Sequence, residues 1–386
     1  MKLAKTRISL IGLDLGGTAL RGLQLRLRPD HAQSLAAVEI PLPRDHDPED
    51  TDAVADALAR LVHNGEFASR DAIIHCPADR LDLRPIDLPA GRGQLPRNAV
   101  LGALRLQLGG QLPFPIDTAV FDYFTAGPAR NGRLRLIAIT ADGQWVRKRI
   151  KLVESVGLHC VRVEAFPCAI ARLTASDCDD PAPDPDADDS PDIARLTAIL
   201  DLGHAGSTLV VVGPYGPVFC RRFDFAGIQL IRALTDRLSL PESIAEKLIK
   251  RYGIDSQSRK LRLAPVAAEP LSDRSDTLPL DDNRNAEIGK TMYAALTPHL
   301  AAFVEGLVRS LNYVISQEPS AILHRVLLTG RTAQLPNLDD YLAQQFELPV
   351  HRFHASVIDS LLDQLPATRS CPGSWTTAFA LVHPQR

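Results

Sequence analysis

The run Leu-Asp-Leu-Gly occurs twice, at 13–16 and at 200–203, in separate halves of the chain. Each copy follows an apolar stretch and precedes a small-residue turn and a second apolar strand, as in Gly12–Thr18 and Ile199–Thr208. A carboxylate at the end of a buried strand is costly unless a cation uses it. One such segment reads as a strand closing a hairpin, since Asp and Gly dominate turns. The matched pair reads as two loops facing one nucleotide phosphate chain. Asp14 and Asp201 would orient metal-bound waters, and the backbone N–H groups around Gly16, Gly17, Gly203 and Gly206 would hold phosphate oxygens. Thr18, Ser207 and Thr208 add hydroxyl donors, Arg21 adds a fixed positive charge, and His204 sits in the second turn. A third segment, Leu327-Leu328-Thr329-Gly330, ends a strand ahead of a helix. Its glycine would let the backbone approach a flat ring or ribose.

A chain of 386 residues is long for one core, and two domains follow from the size. A net charge of -3 gives no basis for binding nucleic acid or an anionic membrane surface. No apolar run approaches the roughly 20 residues of a bilayer span, and Asp14 interrupts the only early apolar stretch, so no leader is expected. The six scattered cysteines contain no C-x-x-C pair, which fits a reducing, cytoplasmic setting without disulfides or structural zinc.

Residues 8–15 read as a strand buried on both faces. Leu23, Leu25 and Leu27 alternate with polar residues as in a half-buried strand. A helix follows at 52–62 and a strand at 71–76. Residues 86–158 read as helix, strand, strand, helix, a self-sufficient α+β unit inserted in the first domain. Ser176–Asp192, with eight Asp and four Pro, reads as an acidic linker. The second half offers strands at 198–202, 208–212, 218–223 and 325–329. Its helices are expected at 228–238, 239–252, 286–317 and 338–346, with a loop over 264–285 and a last short helix at 375–382. The expected organisation is a first domain at 1–85 that returns at 159–175, the insert at 86–158, and the linker at 176–194. A second domain at 195–345 and a C-terminal segment at 346–386 returning to the cleft complete it.

Strand–DxG–hairpin, a second DxG hairpin, then strand–TG–helix resembles the actin, Hsp70 and sugar-kinase superfamily, and within it the FtsA/PilM family. Leu13–Arg21, Leu112-Pro113-Phe114-Pro115-Ile116-Asp117, Val120–Tyr123, Val163–Phe166, Phe225–Leu230, Arg309–Tyr313 and Leu328–Leu338 carry the resemblance. It implies an α/β, actin-like (ribonuclease H-like) two-domain ATPase fold with an FtsA/PilM-type inserted α+β subdomain. It implies ATP or ADP with Mg2+, the metal shared through water by Asp14 and Asp201. It adds Gly227, Gln229, Glu246, Lys250, Gly330 and Arg331 to the nucleotide site, and Glu164 as the acid near an attacking water. Arg331 stands where the family has a second glycine, His204-Ala205 replace a small polar pair, and Lys250 lies one place late.

The function implied is a cytoplasmic scaffold of type IV pilus assembly, bound to the inner membrane only through partners. Its partner would be the N-terminal cytoplasmic peptide of PilN, held between the first domain and the insert. Pilus assembly and retraction ATPases, a platform protein and self-association belong to the same implication, and slow ATP hydrolysis stays open. Two other readings stand beside it. A sugar or small-molecule kinase shares the DxGGT loop, and an FtsA-type division filament shares the insert.

Overall fold

The computed structural model describes residues 7–28, 32–43, 51–89, 95–128, 132–174, 194–254, 282–318, 320–362 and 371–383. The expected linker lies outside the described residues up to 193, as does the expected loop over 264–281. The first half opens with β1 (Arg7–Ile8), β2 (Ile11–Leu15), β3 (Ala19–Leu27), β4 (Ala32–Pro41), α1 (Thr51–Asn64) and β5 (Asp71–Cys76). β6 (Leu81–Pro89), α2 (Arg97–Leu108), β7 (Val120–Thr125) and β8 (Arg133–Ala141) follow, then α3 (Gly143–Ser155), β9 (His159–Ala165) and α4 (Phe166–Ala171). The second half holds β10 (Ala194–Leu202), β11 (Ser207–Gly213), β12 (Gly216–Phe223), α5 (Gly227–Leu238), α6 (Glu242–Tyr252) and α7 (Asp282–Gln317). It ends with β13 (Ala321–Thr329), α8 (Leu338–Phe346), β14 (Val350–Arg352), α9 (Ser356–Leu362) and α10 (Thr376–Val382).

One strand order is built twice. In the first sheet, β4-β3-β2 are antiparallel neighbours and β2-β5-β9 are parallel. In the second, β12-β11-β10 are antiparallel and β10-β13-β14 parallel. Parallel strands require crossovers and burial on both faces, and residues 196–200 of β10 and 326–329 of β13 are buried accordingly. α4 and α10 lie between the two sheets, sharing a core with Leu23, Ile73, Ile199 and Leu327. The approach is close: a Cβ on Gly12 would fall 2.6 Å from the Ala378 carbonyl oxygen. α1 and α3 cover the outer face of the first sheet, and α5 to α8 that of the second.

The β2–β3 hairpin is present as expected, but β3 is not half-buried. Gln24 is 0% exposed, and its amide is satisfied by the Ser9 carbonyl, Ser69 Oγ and the Ala68 N–H. A buried polar residue with all its partners mimics the surface side of a period-2 strand. The strands β4, β9 and β14 were not anticipated, although Val161, Val163 and Ala165 of β9 alternate with Arg162 and Glu164.

The insert differs from the expected 86–158 at both ends. Its three-stranded antiparallel sheet, β6-β8-β7, starts at Leu81 and packs against α2. α3 instead packs on the first sheet, where Leu152 and Val153 join Ile11, Leu13 and Leu58. A helical stripe specifies that a face is buried, not which sheet buries it. Cys76, Leu81 and Val146 form a small core that joins the insert to the first sheet. The long helix begins at Asp282, inside the expected loop. Its Pro298 removes one backbone donor without ending it.

Candidate nucleotide cleft

The two aspartates occupy equivalent places in the duplicated sheets. Asp14 pairs in register with Arg21, and Asp201 with Thr208, each across its own hairpin. On the other side the parallel neighbour of Asp201 is Thr329, whose hydroxyl donates to Asp201 Oδ1 at 3.0 Å. Asp14 and His75 each follow the last parallel pair, Leu13–Ile74, and His75 Nε2 lies 3.5 Å from Asp14 Oδ1. Asp14 is thus flanked by the His75 imidazole and by the Arg21 guanidinium, whose Nη1 lies at 3.4 Å. Asp201 is flanked by two hydroxyls.

That asymmetry has an electrostatic consequence. Burial pushes the Asp201 carboxyl up to about 6; the Thr329 hydroxyl opposes the rise most, the negative charge of Asp14 adds to it, and His75 opposes it least. Asp201 and Asp14 line one cavity of about 220 Å³.

The sequence-predicted residues divide sharply. Asp14, Gly16, Gly17, Thr18, Arg21, Asp201, Gly203, His204, Gly206, Thr208, Gly330 and Arg331 line this first cavity. Gly227, Glu246 and Lys250 line an adjoining cavity of about 380 Å³ with the apolar Ile231, Ile249 and Leu335. Three predicted residues are elsewhere engaged. The Ser207 hydroxyl is 1% exposed and donates to the Phe225 carbonyl at 2.7 Å. Gln229 caps the start of α5, accepting from the Ala226 N–H and donating to the Asp224 carbonyl. Glu164 forms a bidentate pair with Arg172, whose guanidinium also donates to the Ala380 carbonyl. Glu164 therefore ties β9 to α10 and lines neither of these two cavities.

The glycines separate by what surrounds them. Gly330 has φ +85°, and a Cβ there would meet the Leu202 carbonyl oxygen at 2.5 Å. Gly203 is closed in by the Gly206 carbonyl oxygen at 2.6 Å. These two serve backbone packing. Gly17 has nothing nearer than Ala205 at 3.7 Å, so its missing side chain leaves the space between the two turns open.

Sequence reasoning missed His75, Arg222, Ser374 and Thr377, all lining the first cavity. The Arg222 guanidinium lies against the Gly206 turn and donates to the Ala205 carbonyl at 3.4 Å. His75 Nδ1 is a buried nitrogen with no hydrogen-bond partner. A polar cavity with an orphaned nitrogen, two carboxylates and guanidinium groups has the donors and acceptors for a phosphate chain and a hydrated cation. Among the described residues no three His, Cys, Asp or Glu side chains are placed to ligate a metal directly. The residues fit a cation met through water by Asp14 and Asp201.

A family profile described as type IV pilus assembly protein PilM matches residues 12–274. The solved PilM–PilN type IV pilus biogenesis complex is similar over 97% of this chain and 97% of that one, at 18% identity and a TM-score of 0.70. MreB5 of Spiroplasma citri bound to AMPPNP is similar over 93% of this chain and 97% of that one, at 13% identity and a TM-score of 0.45. EutJ from Carboxydothermus hydrogenoformans is similar over 97% and 89%, at 12% identity and a TM-score of 0.44. With the duplicated sheets, the fold is the actin-like one expected from the two Asp-Leu-Gly turns.

Proposed function

The chain belongs to the type IV pilus assembly protein PilM family, and from that membership we propose that it is an actin-like, nucleotide-binding scaffold of the pilus assembly machinery. The carrying observation is the family match over 12–274, which takes in both phosphate turns and the three-stranded insert. Its partner is the N-terminal cytoplasmic peptide of PilN, held between the first sheet and the insert. Among the described residues no helix is long and apolar enough to cross a membrane. Attachment to the inner membrane then comes through that partner.

ATP or ADP binds between the two sheets. The nucleoside lies in the larger cavity against Ile231, Ile249 and Leu335, and the phosphates lie in the smaller one between the turns at 14–18 and 201–206. Magnesium, when bound, neutralises phosphate charge beside Asp14 and Asp201. Ligand contacts shared by two halves favour the closed arrangement of a hinge, so nucleotide state sets the angle between the sheets. The kinase and division-filament readings are not favoured, because the family match points to pilus assembly.

Titration calorimetry of the full chain with a synthetic PilN N-terminal peptide, with and without magnesium–ATP, tests the assignment. Peptide binding whose affinity changes with nucleotide is the expected result. A protein that takes up no peptide in either state would remove the scaffold function.

A further inference from the structure

Four residues line both cavities, and so form the neck between them: Thr18 and Arg21 from the first half, His204 and Arg331 from the second. Each arginine is held by a glutamate of its own half. Arg21 Nε lies 2.7 Å from Glu39 Oε2, and Arg331 Nη2 lies 3.2 Å from Glu246 Oε1. Glu39 and Glu246 both line the larger cavity. Each half therefore brings one guanidinium to the neck, anchored from the nucleoside side by a carboxylate. A guanidinium carries five N–H donors in a fixed plane and matches phosphate oxygens two at a time. Arg21 also meets Asp14 Oδ2 through Nη1 at 3.4 Å, so its Nη2, and all but one nitrogen of Arg331, keep donors for a further anion.

We propose that Arg331 is a specificity-determining phosphate contact that, with Arg21, grips the diphosphate bridge of a nucleotide from opposite sides of the cleft. The assignment rests on the nucleotide reading of the cleft. The preferred ligands are nucleoside di- and triphosphates, whose phosphate chain crosses the neck, over monophosphates, which end in it. Because Glu246 also holds Lys250 Nζ at 2.9 Å, it keeps a cationic partner when Arg331 turns toward phosphate. The second cation also bears on variants: removing Arg331 does not strand Glu246 without a counter-charge.

Calorimetry on the full chain with magnesium–ADP, AMP and inorganic pyrophosphate tests this, using Arg331→Gly, Arg331→Lys and Arg331→Gln. The glutamine variant covers the case in which glycine loosens the turn. Loss of charged hydrogen bonds predicts that Gly and Gln weaken ADP and pyrophosphate by about ten- to a hundredfold. AMP affinity should change by less than about threefold, and Lys should fall between because it keeps charge without the planar fork. Equal or tighter ADP binding in Arg331→Gly would overturn the proposal, making the Arg331–Glu246 pair a strap across the nucleoside end. Wild-type protein that binds pyrophosphate but not ADP would leave the grip standing and remove the nucleoside reading. Wild-type protein that binds neither would remove both.

Discussion

Replacing Asp201 with Asn should stabilise the ligand-free protein while removing its response to magnesium–nucleotide. Asp201 is held at about 6, roughly two units above its ordinary value of 3.8, chiefly because burial disfavours its charge. Each unit corresponds to about 1.4 kcal/mol, so the ionised side chain costs the fold about 3 kcal/mol at most. Water in the cavity screens part of that, and about 2 kcal/mol is the working figure. The folded state holds the extra proton between about pH 4 and pH 6. Stability therefore falls as pH rises through that window and stays low above it. An asparagine oxygen can still accept from the Thr329 hydroxyl, so the substitution removes charge without orphaning a donor. At about 2 °C per kcal/mol for a chain of this length, Asp201→Asn should melt about 4 °C above wild type at about pH 7.5. The gap should shrink to about a third of that at about pH 4.5 and close only below about pH 3.8. Saturating magnesium–ADP should raise the melting temperature of wild type by mass action and leave the variant unmoved. A variant that melts at or below wild type near neutral pH, or a gap that persists in acid, would refute the electrostatic account.

Two further outcomes follow from contacts in and around the cleft. Glu164→Gln breaks a pair whose side chains are each 10% exposed, and should cost about 3 kcal/mol in denaturant unfolding. Its nucleotide affinity should stay within about twofold of wild type, and a lost affinity at unchanged stability would return Glu164 to the active cleft. Gly17→Ala meets nothing nearer than 3.7 Å and should fold within about 0.5 kcal/mol of wild type. Gly330→Ala puts a side chain at φ +85° against the Leu202 carbonyl oxygen and should cost about 3 kcal/mol or more. Urea melts that reverse this order would contradict the packing roles assigned to the two glycines.

The cleft's turns and the strands beside them were legible from the chain, but the pairing of those strands was not, for a reason that lies in sheet geometry. A hairpin turn is local: Asp14 and Arg21 are seven residues apart and share one register position, so a short motif captures both. The parallel neighbour is remote. His75 reaches Asp14, and Thr329 reaches Asp201, across crossovers that no spacing rule encodes. A signal for His75 did exist, however. If β5 lies beside β2 in parallel and stops before Pro77, its last residues must sit level with Asp14, and the polar one among Ile73, Ile74, His75 and Cys76 is the histidine. The misplaced residues make the complementary point. Ser207, Gln229 and Glu164 stand next to motif positions, but each spends its polar group on a neighbour: the Phe225 carbonyl, the start of α5, and Arg172. A motif specifies where the backbone turns, whereas the availability of a side chain depends on which orphaned donor or acceptor lies nearest once the strands have paired. Asp201 is the case in which its neighbours do not offset the burial of its charge. Its raised carboxyl marks the place in the cleft where the folded chain leaves a charge for a ligand to complete.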